Sequence, residues 1–273
     1  MIIFTHHTGE PHGILRAQVA ATFFQQKLSI PSIVVGIERD FSKERLFHFI
    51  DEYYAREEKR VAFSHLCGRK DLFGLAQELK QKGFINILGG PQARQDYCGE
   101  PNTDSYPHRF KGLRSIFNVA FQGPVDGFQT EYLDRRGGLL ESPWTKNIFL
   151  EVDWSNIYTF SDIPKKLEIQ MGQVLNAIGC PYTVKPQVVL LPPPTNLLEK
   201  GIPDIEVRSN GCVFCDVSRD KGYHGSVMRD RVLAQIANLP EADVEIIVKL
   251  PFLGWPSTKS LTRYRPICQK LEP

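Results

Sequence analysis

Along roughly the first 135 residues, apolar positions switch between short continuous runs and a spacing of three to four. Runs of β-branched and aromatic residues read as strands, and recurrence at i, i+3, i+4 and i+7 reads as amphipathic helix. The predicted strands are Ile2–Phe4, Ser32–Ile37, Arg60–His65, Phe84–Leu88 and Phe117–Phe121. Between them, Leu15, Val19 and Phe23 outline one helix, and Leu46, Phe49, Ile50 and Tyr53 outline a second behind Ser42 as N-cap. Leu72, Leu75 and Leu79 outline a third, starting at Asp71 and ending at Gly83, where a left-handed C-cap glycine belongs. A short helix at Gly127–Leu133 follows the last strand. This alternation predicts an α/β fold: a flavodoxin-like (Rossmann-like) five-stranded parallel sheet, order 2-1-3-4-5, with helices on both faces.

Beyond this point the pattern is less regular. Asp96–Leu113 is polar and reads as a surface loop, Gly137–Pro143 as a linker, and Ile148–Thr159 follows neither period. Pro192-Pro193-Pro194 reads as a stiff extended spacer. Asp204–Val207 and Val244–Leu250 then read as strands around a helix at Val227–Leu239, with Val232, Leu233, Ile236 and Leu239 apolar. The expected organisation is an α/β domain over 1–136, a connecting segment over 137–203, and a further βα segment over 204–273.

In open parallel sheets, ligands sit at the carboxyl ends of the strands. Here those ends carry His6-His7-Thr8-Gly9, Ser64-His65, Gly89-Gly90-Pro91 and Gly123. Glycine admits close approach to the backbone, and a small hydroxyl can bond a ligand without filling its space. Adjacent His6 and His7 point to opposite faces of a strand, so they read as one core-facing and one loop histidine rather than a metal pair. A formal net charge of +2 supplies no basic footprint for nucleic acid. No apolar run approaches the roughly 20 residues of a bilayer span, and the N-terminus lacks the pattern of a secretion signal. The expected location is cytoplasmic, with no membrane partner.

Six cysteines stand at 67, 98, 180, 212, 215 and 268. In this context thiols, a metal site or a redox site are expected rather than disulfides. The sharpest motif is Gly211-Cys212-Val213-Phe214-Cys215-Asp216, between a predicted strand and a predicted helix. Two thiolates at this spacing suit one edge of an iron–sulfur cluster, or half of a zinc site completed by Cys180, His224 or Cys268. They also suit a redox dithiol or two buried cysteines.

The stretch RSNGCVFCDVSRDKGYHG resembles the cluster loop of radical S-adenosylmethionine (SAM) proteins, whose motif is CxxxCxxC with an aromatic before the last cysteine. Cys212, Phe214 and Cys215 match its second half. FINILGGPQA and NVAFQGPVDG resemble strand ends of the cobalamin (B12)-binding domain that precedes many radical SAM cores. The resemblance implies a B12-binding radical SAM protein. Cobalamin would lie along Ser64, Gly89, Gly90, Pro91 and Gly123, and a [4Fe–4S] cluster would be held by Cys212 and Cys215 with Phe214 beside it. SAM and an electron donor would complete a radical or methyl-transfer reaction on an unassigned substrate.

Three departures shape these expectations. Arg208 stands where the first cluster cysteine belongs, and Cys180 in Gly179-Cys180-Pro181-Tyr182 is the replacement, Gly-Cys-Pro-Tyr being the family's usual opening of that loop. The DxHxxG cobalamin motif is only shadowed: Glu10 replaces its Asp and Leu15 its Gly, so His12 reads as a loop histidine. The residues after Asp204 suffice for the start of a radical SAM core and not for its barrel. The alternatives are therefore a non-catalytic truncated relative that binds cobalamin or another nucleotide-like ligand, and a flavodoxin-like domain with a structural zinc site.

Overall fold

A computed structural model describes residues 1–7, 14–54, 59–64, 69–90, 92–100, 110–134, 137–145, 147–170, 172–179, 186–193, 201, 203–210 and 223–240. Its centre is an eight-stranded sheet. The strands are β1 (Ile2–His6), β2 (Ile33–Ile37), β3 (Arg60–Ser64), β4 (Ile85–Gly89), β5 (Val119–Gln122), β6 (Gly138–Glu141), β7 (Ile157–Phe160) and β8 (Pro164–Lys166). Their order is β6-β5-β4-β3-β1-β2-β7-β8. Every pair is parallel except β7 with β8. The inner five strands thus stand in the expected 2-1-3-4-5 order.

Strand alternation divides the core in two. On one face Ile2, Phe4, Val61, Phe63 and Leu88 pack under α2 (Lys43–Tyr53), α3 (Lys70–Gln81) and α4 (Ala93–Cys98). On the other, Ile3, Val34, Ala62, Ile87 and Val119 pack under α1 (Leu15–Leu28). In α3, Leu72, Leu75, Ala76 and Leu79 are buried, as the spacing predicts. Each buried leucine contributes about 1.5–3 kcal/mol relative to exposure.

The C-terminus of α3 shows how local sequence sets an element's end. Gly83 has φ +86, its N–H donates to Lys80 O at 3.0 Å, and Phe84 N–H donates to Leu79 O at 3.0 Å. These are the two bonds of a Schellman cap, closed by the buried Leu79–Phe84 contact. Among the described residues, a Cβ at Gly83 would meet nothing within 4 Å, so there the backbone conformation opposes a side chain. Gly83→Ala is expected to cost about 1 kcal/mol in urea unfolding, without changing the far-ultraviolet dichroism.

Two expectations about this region need correction. The buried stripe of α1 is Ala17, Gln18, Ala21, Thr22, Phe23 and Phe24, whereas Leu15 and Val19 are only half-buried. The helix is turned because it is covered on a second side by residues 149–156. Gln18 Nε2 donates to Asp153 O (2.7 Å) and Asn156 Oδ1 (3.1 Å). Asn156 Nδ2 donates to Gln25 Oε1 (2.7 Å) and Ser32 O (3.0 Å), and Asp153 N–H donates to Thr22 Oγ1 (2.8 Å). That polar network, rather than an apolar period, leads the chain into β7.

The sheet also continues past 136. Residues 138–141, read above as linker, form β6 in register with Val119–Gln122. Residues 157–160 form β7 in register with Val34–Ile37.

The later residues form two antiparallel pairs: β9 (Ala177–Gly179) with β12 (Tyr223–Ser226), and β10 (Pro186–Leu191) with β11 (Ile205–Asn210). A βα-barrel unit would pair its strands in parallel. The described pairing of β11 is antiparallel, with Leu191 opposite Ile205 and Pro186 opposite Asn210. Helix α5 (Arg229–Ala237) packs Val232 beside Ile148, Leu150 and Ile178. Gln235 clamps Leu175 through both amide atoms, accepting from its N–H at 2.8 Å and donating to its O at 3.0 Å. The predicted strand Val244–Leu250 lies outside the described residues.

Candidate ligand site at the strand ends

Parallel register aligns one residue from each of four strands at the carboxyl edge. Gly36 pairs with Thr5, Thr5 with Ser64, and Ser64 with Gly89. By alternation all four lie on the α1 face, one step beyond Val34, Ile3, Ala62 and Ile87. Bulky core residues thus give way to a row of two glycines and two small hydroxyls.

Among the described residues, the row is open at only one end. Over Gly36, a Cβ would stand 2.6 Å from His7 Cβ and 3.4 Å from Ile14 Cδ1, so that position is already filled. Thr5 is buried. Ser64 and Gly89 are half-exposed, and among the described residues a Cβ on Gly89 would meet nothing nearer than Phe63 O at 3.8 Å. Gly90 follows with φ +113, a conformation open to glycine and strained for other residues. Ser64, Gly89 and Gly90 therefore offer a hydroxyl and bare backbone at the ends of β3 and β4.

Gly123 differs. Its φ is +112, and a Cβ there would collide with the carbonyl oxygen of Ser142. A Cβ on Gly127 would collide with the Ser142 side chain. Ser142 N–H donates to Gln122 O at 2.8 Å. The end of β5 is thus closed by the chain leaving β6, and glycine at 123 serves that close approach. The half-exposed rim carries Arg94, whose Nη1 donates to Glu141 Oε1 at 2.6 Å.

Pro91, His12, Cys180, Cys212, Phe214 and Cys215 lie outside the described residues. Among the described residues, no group of three or more His, Cys, Asp or Glu side chains could hold a metal ion. Cys98, the free cysteine described, is half-buried at the end of α4. His6 is half-buried and His7 buried, in line with the reading of two separate roles.

Sequence reasoning missed Arg69, the residue before α3. Its Nε donates to both oxygens of Asp71 (2.8 and 3.0 Å), and its Nη2 bonds Asp71 as well. Nη2 also donates to Glu38 O (2.9 Å), while Nη1 donates to Ile37 O (3.3 Å) and to His6 Nδ1 (2.8 Å). One guanidinium so ties the ends of β1 and β2 to the start of α3, with its side chain only 11% exposed. The Arg69 hydrogen bond, and secondarily its charge, holds the Asp71 carboxyl below its ordinary value of 3.8 against the opposing effect of burial. The signal in the sequence was Arg69-Lys70-Asp71 at the start of the helix, a pattern that also occurs on solvated helix starts.

No family model, curated protein or solved structure matches the chain. Among the described residues, no helix is long and apolar enough to cross a membrane.

Proposed function

We propose that the protein binds cobalamin, or a ligand with a similar nucleotide-like portion, at the carboxyl ends of β3 and β4. The observation that carries this reading is the backbone at Gly89, uncovered among the described residues, beside the Ser64 hydroxyl and the turn at Gly90. Ser64 would donate to or accept from the ligand, and Gly89 and Gly90 would let it reach the main chain. Gly123 drops out of this set, because Ser142 occupies the space a ligand would need.

The reading extends to a [4Fe–4S] cluster on Cys180, Cys212 and Cys215, supported by the resemblance of Gly211–Asp216 to a radical SAM cluster loop. Such a cluster, with SAM bound, supplies one-electron cleavage of SAM and thereby radical or methyl-transfer chemistry. The chain's own part in that would be three thiolates and the adjacent Phe214 ring.

Anaerobic purification followed by absorption spectroscopy and metal analysis tests both halves. The expected result is an oxygen-sensitive brown chromophore with bound iron, lost in Cys212→Ala, and a cobalamin spectrum retained on gel filtration. Bound zinc without a chromophore would replace the cluster by a structural metal site. Cobalamin retained without cluster or 5′-deoxyadenosine formation would leave a binding protein.

A further inference from the structure

Thr5 lies opposite Ser64 in register, on the adjacent strand. Alternation puts both on the α1 face, one step beyond Ile3 and Ala62, so their side chains rise side by side from strands about 4.8 Å apart. At the next position, on β2, His7 and Ile14 fill the space over Gly36. Thr5 is therefore the residue of the row that borders the gap at Ser64 and Gly89. It is 3% exposed. Among the described residues, neither its hydroxyl nor that of Ser64 has a hydrogen-bond partner. Buried polar groups are nearly always paired, and leaving one unpaired is unfavourable. Thr22, buried in α1, shows the usual arrangement: its Oγ1 donates to Gln18 O at 2.7 Å and accepts from Asp153 N–H at 2.8 Å.

We infer that Thr5 is a second ligand-contacting hydroxyl of the site, and that with Ser64 it holds one uncharged polar group of the ligand, a carbonyl oxygen or a ring nitrogen. The inference rests on the ligand site proposed above and adds a residue to it. Hydroxyls on neighbouring strands can both donate to one acceptor placed between them, at ordinary distances of about 2.7–3.0 Å. The row of Gly36, Thr5, Ser64 and Gly89 contains no charged residue. A phosphate held by it would be desolvated without a counter-charge, whereas a neutral acceptor needs none.

Thr5→Val keeps the shape of the side chain and removes the hydroxyl. Two readouts separate this contact from the site itself. The first is urea unfolding without ligand. A hydroxyl with no partner adds nothing to the fold, so Thr5→Val should have an unchanged or higher midpoint. A clearly lower midpoint would show the hydroxyl already bonded within the protein, and would overturn the inference whatever the protein binds. The second is titration with hydroxocobalamin. Thr5→Val should weaken binding roughly fivefold to tenfold, the worth of one hydrogen bond, and Thr5→Ser should recover most of it. Inorganic phosphate should not displace the cobalamin from the wild type. Displacement that Thr5→Val weakens would put an anion at the hydroxyl pair and overturn the neutral group. Wild-type affinity in Thr5→Val would overturn the contact and leave the site standing. No saturable binding by the wild type would overturn the ligand reading, and this contact with it.

Discussion

Gly123→Val should lower stability by about 2–6 kcal/mol, which would leave the protein largely unfolded at moderate urea. Two effects add. Holding a non-glycine residue at φ +112 costs about 1–3 kcal/mol. Overpacking adds about 1–3 kcal/mol, because the obstacle is the backbone carbonyl of Ser142 and cannot rotate away. Relief would require β6 to leave its register with β5, which would uncover Leu140 and Phe121. Gly138→Val is the control. Its φ is +135 but a Cβ there meets nothing within 4 Å among the described residues, so it should show only the conformational part. Equal unfolding midpoints for the two variants would refute the close approach at Gly123.

Arg69→Met is the second large effect. It leaves Ile37 O, Glu38 O and the Asp71 carboxylate without their shared donor, at a cost of about 2–4 kcal/mol near neutral pH. The pH dependence has a definite sign. Asp71 is held below its ordinary value, so its share of stability is present above pH 3.8 and lost as pH falls through the lowered value. The difference between wild type and Arg69→Met should therefore be widest near pH 7 and narrow below pH 4. Urea unfolding at both pH values measures it. A difference that grew on acidification would assign the effect to another group.

The parts of the fold legible in the sequence are those where one local rule decides. The five inner strands are short runs buried on both faces, and such runs read directly as parallel strands. Leu72, Leu75 and Leu79 repeat at helical spacing, and Gly83 supplies a conformation few other residues adopt. Helix α1 misled because Gln18 and Thr22 are polar and buried: their burial is made possible by Asp153 and Asn156, more than 130 residues away, which no local pattern can announce. Strands β6 and β7 were hidden for a related reason. Each is four residues long and is held by pairing, β6 with the preceding β5 and β7 with the sequence-distant β2, rather than by its own periodicity.

The site was legible in the same uneven way. Ser64, Gly89 and Gly90 follow from one rule, that ligands meet parallel sheets at their carboxyl ends. Gly123 looks identical in sequence, yet its glycine answers to Ser142 rather than to open space. Arg69 required knowing that the start of α3 reaches back across the ends of β1 and β2.

Hydroxocobalamin titration of the wild type against Gly89→Val bears most directly on the claim that the gap at Ser64, Gly89 and Gly90 is the ligand site. Valine at 89 sits in a strand conformation, with no atom of the described residues nearer its Cβ than Phe63 O at 3.8 Å, so the variant should fold with an unchanged unfolding midpoint. Its side chain would fill the gap. The expected result is saturable binding by the wild type and at least a hundredfold loss in folded Gly89→Val. Wild-type affinity in that variant would contradict the site, because a ligand that tolerates a side chain at Gly89 does not lie over it.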